Sequence, residues 1–105
     1  MSLSKLTDIL NQLKKNYPAF SRRMEEAEAV GRWESTVGAV IAKHSRATRV
    51  QECVLWVEVD HSIWKSELHY RKRQILDALN AKLSAESQLK DILFLDEKRS
   101  KEPKG

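Results

Sequence analysis

The stretch Val54–Asn80, VLWVEVDHSIWKSELHYRKRQILDALN, predicts a strand that leads directly into a long amphipathic helix. Over its first seven residues, apolar side chains alternate with others in the manner of a half-buried strand. The side chains predicted to face the core are those of Leu55, Val57 and Val59. Trp56 and Glu58 would therefore face the opposite side of a sheet.

The second part of this stretch has the periodicity of a helix. Apolar residues recur at spacings of three, four and seven, which predicts about twenty helical residues, or about 30 Å of helix. The stripe consists of Trp64, Leu68, Ile75, Leu76, Leu79 and Leu83. We expect Asp60 or Ser62 to supply the N-cap oxygen, and the helix to end near Ser84. A helix of this length needs a sheet or other helices to cover its apolar stripe.

The residues before this unit predict further helices. Residues 4–15 form a short amphipathic helix that Pro18 ends, because proline disfavours helical backbone at the residue before it. Helical periodicity resumes over residues 19–44. We expect a junction between two helices at Gly31 and a close backbone approach at Gly38.

Two more strands complete the predicted fold. Ala47–Gln51 and Val54–Asp60 indicate an antiparallel hairpin, with Cys53 in the connection as a small buried hydrophobe. Leu89–Asp96 is apolar and short enough to be a third strand. The predicted fold class is α+β: a three-stranded sheet, made of the hairpin and the C-terminal strand, packed on helices in the order α-α-β-β-α-β.

Length and composition indicate one domain with terminal additions. The chain has 105 residues, of which 41% are hydrophobic and 32% charged, and a net charge of +4. We divide it into an N-terminal helix and turn (1–18), a main domain (19–96) and a disordered basic tail (97–105). Residues 98–105 carry four cations and one glutamate, so the rest of the chain holds only +1. Nucleic-acid binding would therefore depend on local patches.

Several functional classes lack their sequence signals. The chain has no Gly-rich phosphate loop, nucleophile elbow, HExxH motif or Cys-x-x-Cys motif, so we predict no enzyme, cofactor or small-molecule substrate. His61 and His69 are spaced too loosely for a zinc site, and we interpret them as solvent-facing. No membrane span or secretory signal is evident, and the single cysteine permits no internal disulfide. These features predict a cytoplasmic protein without membrane contact.

The three tryptophans separate into two kinds. Trp33 and Trp64 lie on apolar helical stripes and are predicted to be core residues. Trp56 alternates away from the core set. Either a terminal segment such as the 4–15 helix covers its indole or the indole is exposed for binding, and both interpretations stay open.

Two cationic clusters, with the basic tail as a third set, would suit a phosphate backbone. The first lies where the second helical segment meets the first strand, with no acid between its members: Lys43, His44, Arg46 and Arg49. The second is a stripe on the long helix: Lys65, His69, Lys72 and Arg73. With Trp56, these clusters form the predicted nucleic-acid site. A charged helix face is more often only solvated, and affinity built on such clusters would be weak and without sequence preference.

Six short segments together resemble the signature of the DciA-like family. They are WESTVG (33–38) with AKHS (42–45), LWVEVD (55–60) with WKSEL (64–68), ILDALN (75–80) and ILF (92–94). The resemblance covers residues 30–96. It implies a KH-like fold and, in bacteria, a role with the DnaB-type replicative helicase, assisting its loading onto single-stranded DNA.

The sequence departs from that family picture in two respects. It lacks the G-x-x-G loop with which nucleic-acid-binding KH domains clamp the backbone, so the cationic clusters would have to substitute for it. Many family members also carry a long disordered extension, whereas only residues 97–105 follow the last predicted strand here. The preferred hypothesis is a non-enzymatic helicase-assisting module with weak single-strand affinity. The alternative is a pure protein-interaction domain, docked through the 4–15 helix, with no nucleic-acid role.

Overall fold

A computed structural model describes residues 3–97 of the chain. The helices are α1 (Leu3–Asn16), α2 (Pro18–Gly31), α3 (Trp33–Val37), α4 (Ala39–Ala42) and α5 (Ser62–Asn80). The strands are β1 (Ser45–Gln51), β2 (Val54–Val59) and β3 (Asp91–Asp96), and a 3₁₀ turn at Ala85–Ser87 precedes β3. The predicted α+β class and element order are confirmed. The tail residues 98–105, predicted to be disordered, lie outside the described residues.

The sheet has the order β1-β2-β3, so that β2 is the central strand. β1 pairs with β2 in the antiparallel sense, and β3 pairs with β2 in the parallel sense. Two parallel neighbours require a crossover connection, and α5 supplies it. The long helix is therefore held across one face of the sheet by the chain connectivity itself.

The core lies between that face and the helices. Leu55, Val57 and Val59 are buried as the alternation predicted. The buried residues of α5 are Leu68, Ile75, Leu76 and Leu79, and Ile92 and Phe94 of β3 join the same cluster. Trp33 is buried as predicted, whereas Trp64 is only partly buried and stacks on the ring of His44, with 4.5 Å between ring centroids.

The ends of α5 differ from the prediction. The N-cap is His61, whose Nδ1 accepts a hydrogen bond from the Ile63 main-chain N–H at 3.2 Å, so the expected Asp60 or Ser62 cap is wrong. The helix ends at Asn80, short of Ser84. The Asn80 side chain donates to the Leu89 carbonyl and accepts from the Leu89 N–H, at 2.9 and 2.7 Å. These two bonds fasten the loop before β3 to the end of the helix.

The two central glycines have different roles. Gly31 ends α2, and the predicted junction is confirmed. Gly38 separates α3 from α4 with φ of 93°, a conformation that side chains with a Cβ rarely adopt. Apart from Gly38 and its two neighbours in the chain, no heavy atom lies within 4 Å of the position that a Cβ on Gly38 would occupy, so the predicted close approach is wrong. Glycine is favoured there for its backbone angle.

The β1–β2 hairpin turns through Glu52 and Cys53, which both have positive φ, of 54° and 66°. Two positive φ values describe the tight turn that matches the twist of a hairpin and that favours Asn-Gly. Cys53 is exposed, so its predicted burial is wrong. The turn geometry places its side chain outside the sheet.

Replacing the turn residues should stabilise the protein. A left-handed conformation costs a residue with a Cβ about 1–2 kcal/mol. Replacement by glycine removes this cost, but part of the gain is offset because glycine loses more conformational entropy on folding than other residues. We expect Glu52→Asn with Cys53→Gly to raise the free energy of unfolding by about 1 kcal/mol. Urea unfolding would measure the change, and an unchanged or lower value would contradict the turn geometry.

A buried hydrogen-bond relay joins the helices to β1. The Trp33 Nε1–H donates to Ser45 Oγ at 2.9 Å, and the Ser45 hydroxyl donates to the Ile41 carbonyl at 2.8 Å. Ser45→Ala should cost about 1–3 kcal/mol of stability, because it leaves a buried indole N–H without a partner. Ser35→Ala is the matched control, since its hydroxyl donates to the Arg32 carbonyl at the surface. If both variants unfold at the same urea concentration, the relay has no energetic role.

Candidate nucleic-acid interface

A β-bulge in β1 brings two of the predicted arginines to one side of the sheet. In a regular strand, Arg46 and Arg49 would point to opposite faces, because they are an odd number of residues apart. The register shifts between Ala47 and Arg49, so that Arg46 pairs with Glu58 and Arg49 pairs with Trp56. The extra residue of the bulge therefore re-aims one arginine.

These residues belong to the sheet face opposite α5, which we call the outer sheet face. The side chains that the register places on it include Arg46, Arg49, Gln51, Val54, Trp56, Glu58, Leu93 and Leu95. Leu93 lies beside Trp56 on the neighbouring strand and is 38% exposed. The face thus has an apolar centre bordered by two arginines.

The centre of this face is an arginine–tryptophan stack. The Arg49 guanidinium carbon lies 3.9 Å from the centroid of the Trp56 ring, within the range of a cation–π interaction. Arg49 Nε also donates to Gln51 Oε1 at 3.0 Å, which orients the guanidinium plane. Helix α1 packs against α2. The Trp56 indole is half-buried, and the side chain that lies over it is that of Arg49. The position of Trp56 away from the core is therefore as the alternation predicted.

The first predicted cluster gains acidic neighbours on folding. Arg46 donates to Glu58 Oε1 at 3.0 Å, and His44 Nδ1 lies 3.1 Å from Asp60 Oδ2. Lys43 is exposed beside a groove of about 440 Å³ that Glu34 and Glu97 also line. The local sequence has no acid between residues 43 and 49, but the adjacent strand brings acids to it. The neighbouring acids therefore lower the net positive charge of the cluster, and Arg46 is engaged in an ion pair.

The second predicted cluster separates into two parts. Lys65 and Lys72 each lie 3.0 Å from an aspartate of β3, Asp96 and Asp91 respectively. His69, between them on the helix, packs its ring edge-on against Phe94 with centroids 5.0 Å apart. Arg73 instead pairs within α5, 3.7 Å from Asp77. The stripe thus follows β3 and is distinct from the outer sheet face.

One of these ion pairs changes a pKa. The hydrogen bond from Lys72, followed by the Ile92 main-chain N–H bond at 2.8 Å, lowers the pKa of Asp91 below its ordinary value. Both donors favour the ionised carboxylate. Lys72 is therefore engaged in holding α5 to β3, and a phosphate would have to compete with Asp91 for it.

Comparison with known proteins gives the chain a family. The sequence model of the family described as "Dna[CI] antecedent, DciA" matches residues 5–94. The chain belongs to the DciA family. The resemblance found in its tryptophan and strand motifs is thereby confirmed.

Relatives of this DciA-family chain include proteins named UPF0232. It is 35% identical to one from Mycolicibacterium smegmatis over 62 residues, covering 59% of this chain and 32% of the relative. It is 35% identical to one from Corynebacterium glutamicum over 51 residues, 49% of this chain and 29% of the relative. A Mycobacterium tuberculosis relative is 33% identical over 62 residues, 59% of this chain and 33% of the relative. The chain spans about a third of the length of these curated relatives.

Three further structural features of this DciA-family member concern the kinds of site weighed from its sequence. Its α5 is one continuous helix, with no glycine loop interrupting it. Within residues 3–97 there is no group of three or more His, Cys, Asp or Glu side chains placed to hold a metal ion. None of the described helices has the length and apolar character needed to cross a membrane.

Sequence reasoning missed the acids that meet the cations, and it missed the stacking of His44 on Trp64. Glu58 in β2 and Asp60 directly after it were visible, and the hairpin register would have placed them opposite Arg46 and next to His44. The bulge, however, has no signal in the sequence. The sequence alone therefore did not predict that Arg46 and Arg49 lie on the same face of the sheet.

The Asp91 pair leads to a pH-dependent expectation. Because the folded-state pKa of Asp91 is lowered, its stabilising effect is full above the unfolded-state pKa and disappears as pH falls through the folded-state value. Lys72→Met should raise the Asp91 pKa, as measured by the side-chain carboxyl carbon shift in an NMR titration. Arg73→Met removes a cation paired with Asp77 instead and serves as the control. An Asp91 pKa that moves equally in both variants would show a general charge effect.

Proposed function

We propose that this DciA-family chain is a non-enzymatic accessory module of DNA replication. In this proposal it interacts with a DnaB-type replicative helicase and binds single-stranded nucleic acid weakly. Family membership supports the link to replication. The observation that supports the nucleic-acid part is the Arg49–Trp56 stack on the outer sheet face.

The stack suits nucleobases for a chemical reason. Aromatic rings and arginine planes both stack on bases, and such stacking needs no particular base because every base has a π-face. A base could lie on the outer side of the Arg49 guanidinium, or displace it and lie on Trp56. Leu93, on the adjacent strand, extends the apolar surface for a second base. The phosphate backbone would then run near Lys43 and Arg46.

The ion pairs limit the electrostatic part of binding. Within residues 3–97, Lys43 and Arg49 have no carboxylate in a salt bridge, whereas Arg46, Lys65, Lys72 and Arg73 do. Each phosphate contact to a single strand contributes about −0.7 to the slope of log affinity against log salt. Two contacts predict about sevenfold weaker binding for fourfold more salt, and four contacts predict about fiftyfold. The measured slope would therefore show how many pairs open on binding.

The same ion pairs support a second candidate function. If the cations serve only to hold α5 to β3 and β1 to β2, the chain is a protein-interaction domain without a nucleic-acid role. In that case single-stranded DNA would not bind even at low salt, while a replicative helicase would still be retained in a pull-down. Binding of DNA at low salt would favour the first candidate.

Arg49 is the position that tests the DNA site. Stacking on a side chain is worth about 1–3 kcal/mol per base, so Arg49→Glu or Trp56→Leu should weaken binding about 5- to 150-fold. Fluorescence anisotropy of a labelled single strand at low salt would measure it. Lys82→Glu changes the net charge equally at an exposed residue beyond α5 and should have little effect. Equal losses for Arg49→Glu and Lys82→Glu would remove the outer sheet face as the site.

A further inference from the structure

An apolar groove runs along α5 on the side away from β3. Three depressions share lining residues and form one surface, which we call the α4–α5 groove. Its central part has a volume of about 550 Å³ and is lined by Val37, Val40, Ile41, Ile63 and Trp64, with Glu67 and Arg71 at the rim. From His61 to Ala78 the groove follows α5 for about 25 Å. Val40 and Ile63 are 62% and 67% exposed, so this surface has no cover among the described residues.

A second surface without a full partner lies on α1. None of the residues 4–16 is buried, although α1 packs against α2. Leu10 and Leu13 are half-buried, while Leu6 and Ile9 are 45% and 44% exposed. The helix has 14 residues and is therefore about 21 Å long. An isolated helix of this length is marginal in water, and its exposed apolar side chains favour a further contact.

We propose that α1 of one chain docks in the α4–α5 groove of a second copy, and that the reciprocal contact closes a two-fold dimer. The lengths of helix and groove correspond. The exposed Leu6 and Ile9, three residues apart, lie on one side of α1 and match the apolar floor of the groove.

Charge also favours this occupant. Residues 4–16 carry Lys5, Lys14 and Lys15 against Asp8, so α1 is cationic. The carboxylates of the groove, Asp60 and Glu67, outnumber its one arginine, Arg71. A cationic helix on a weakly acidic groove gains attraction, whereas the basic residues 98–105 have the same sign but few apolar side chains to fill the groove.

The contact area predicts a weak dimer. A helix 21 Å long and about 10 Å wide covers at least about 210 Å² of each partner in projection. One contact then removes about 420 Å² from water, and the reciprocal pair about 840 Å². Stable interfaces bury about 1,200–2,000 Å², so the dimer should form only at micromolar or higher concentration.

Charge substitutions on the two surfaces test the proposal. Sedimentation of the full chain from roughly 5 to 500 μM should show a concentration-dependent dimer. Ile9→Glu and Ile63→Lys should each abolish it, because each places a charge in an apolar contact. Leu93→Glu puts a charge on the outer sheet face instead and should dimerise like the unmodified chain.

Mixing identifies which surfaces meet. In an equimolar mixture of the Ile9→Glu and Ile63→Lys chains, one contact is native and the other pairs glutamate with lysine, so dimers should return. Three results would each overturn the proposal. The unmodified chain could stay monomeric at every concentration, the single variants could dimerise normally, or the mixture could stay monomeric. If the unmodified chain stays monomeric, the α4–α5 groove would instead be a candidate site for a helix of a different protein. None of these outcomes depends on DNA binding, which Arg49 reports separately.

Discussion

The parallel pairing of β2 with β3 is the constraint on which the rest of the structure depends. Parallel neighbours are joined only by a crossover, so α5 must return along the sheet before β3 can form. Its apolar stripe then covers Leu55, Val57 and Val59, and the Asn80 side chain fastens the loop that leads into β3. Because α5 occupies one face, Trp56 and its neighbours are left on the other.

This arrangement explains why the cations of the chain do not act as a uniform patch. Lys65 and Lys72 link α5 to the two ends of β3, and Arg46 links β1 to β2. Exposed ion pairs add little stability individually, with typical values of about 0–1 kcal/mol, but they do reduce the charge available to a phosphate. What remains distinctive is the Arg49–Trp56 stack, which offers contact with a base rather than a long-range field.

The two proposed binding surfaces lie on different sides of the molecule. The outer sheet face contains the arginine–tryptophan stack, whereas the α4–α5 groove lies on the helical side. A nucleic acid and a second copy of the chain would therefore not compete for the same residues. A dimer of the proposed kind would then present two outer sheet faces to one strand, and two weak contacts made together hold a strand more firmly than one.

Local sequence by itself determined the strands, the long helix, the core face of β2 and the family, because alternation, helical spacing and motif residues are properties of neighbouring positions. Gly31 as a junction and Trp33 as a core residue follow from the same local patterns. Only the tertiary structure decided which acids meet the cations, since Glu58, Asp91 and Asp96 reach them across strands or from a distant segment. It also decided that Arg46 and Arg49 share a face, because the bulge between them is set by pairing with β2 and not by the residues of β1 alone.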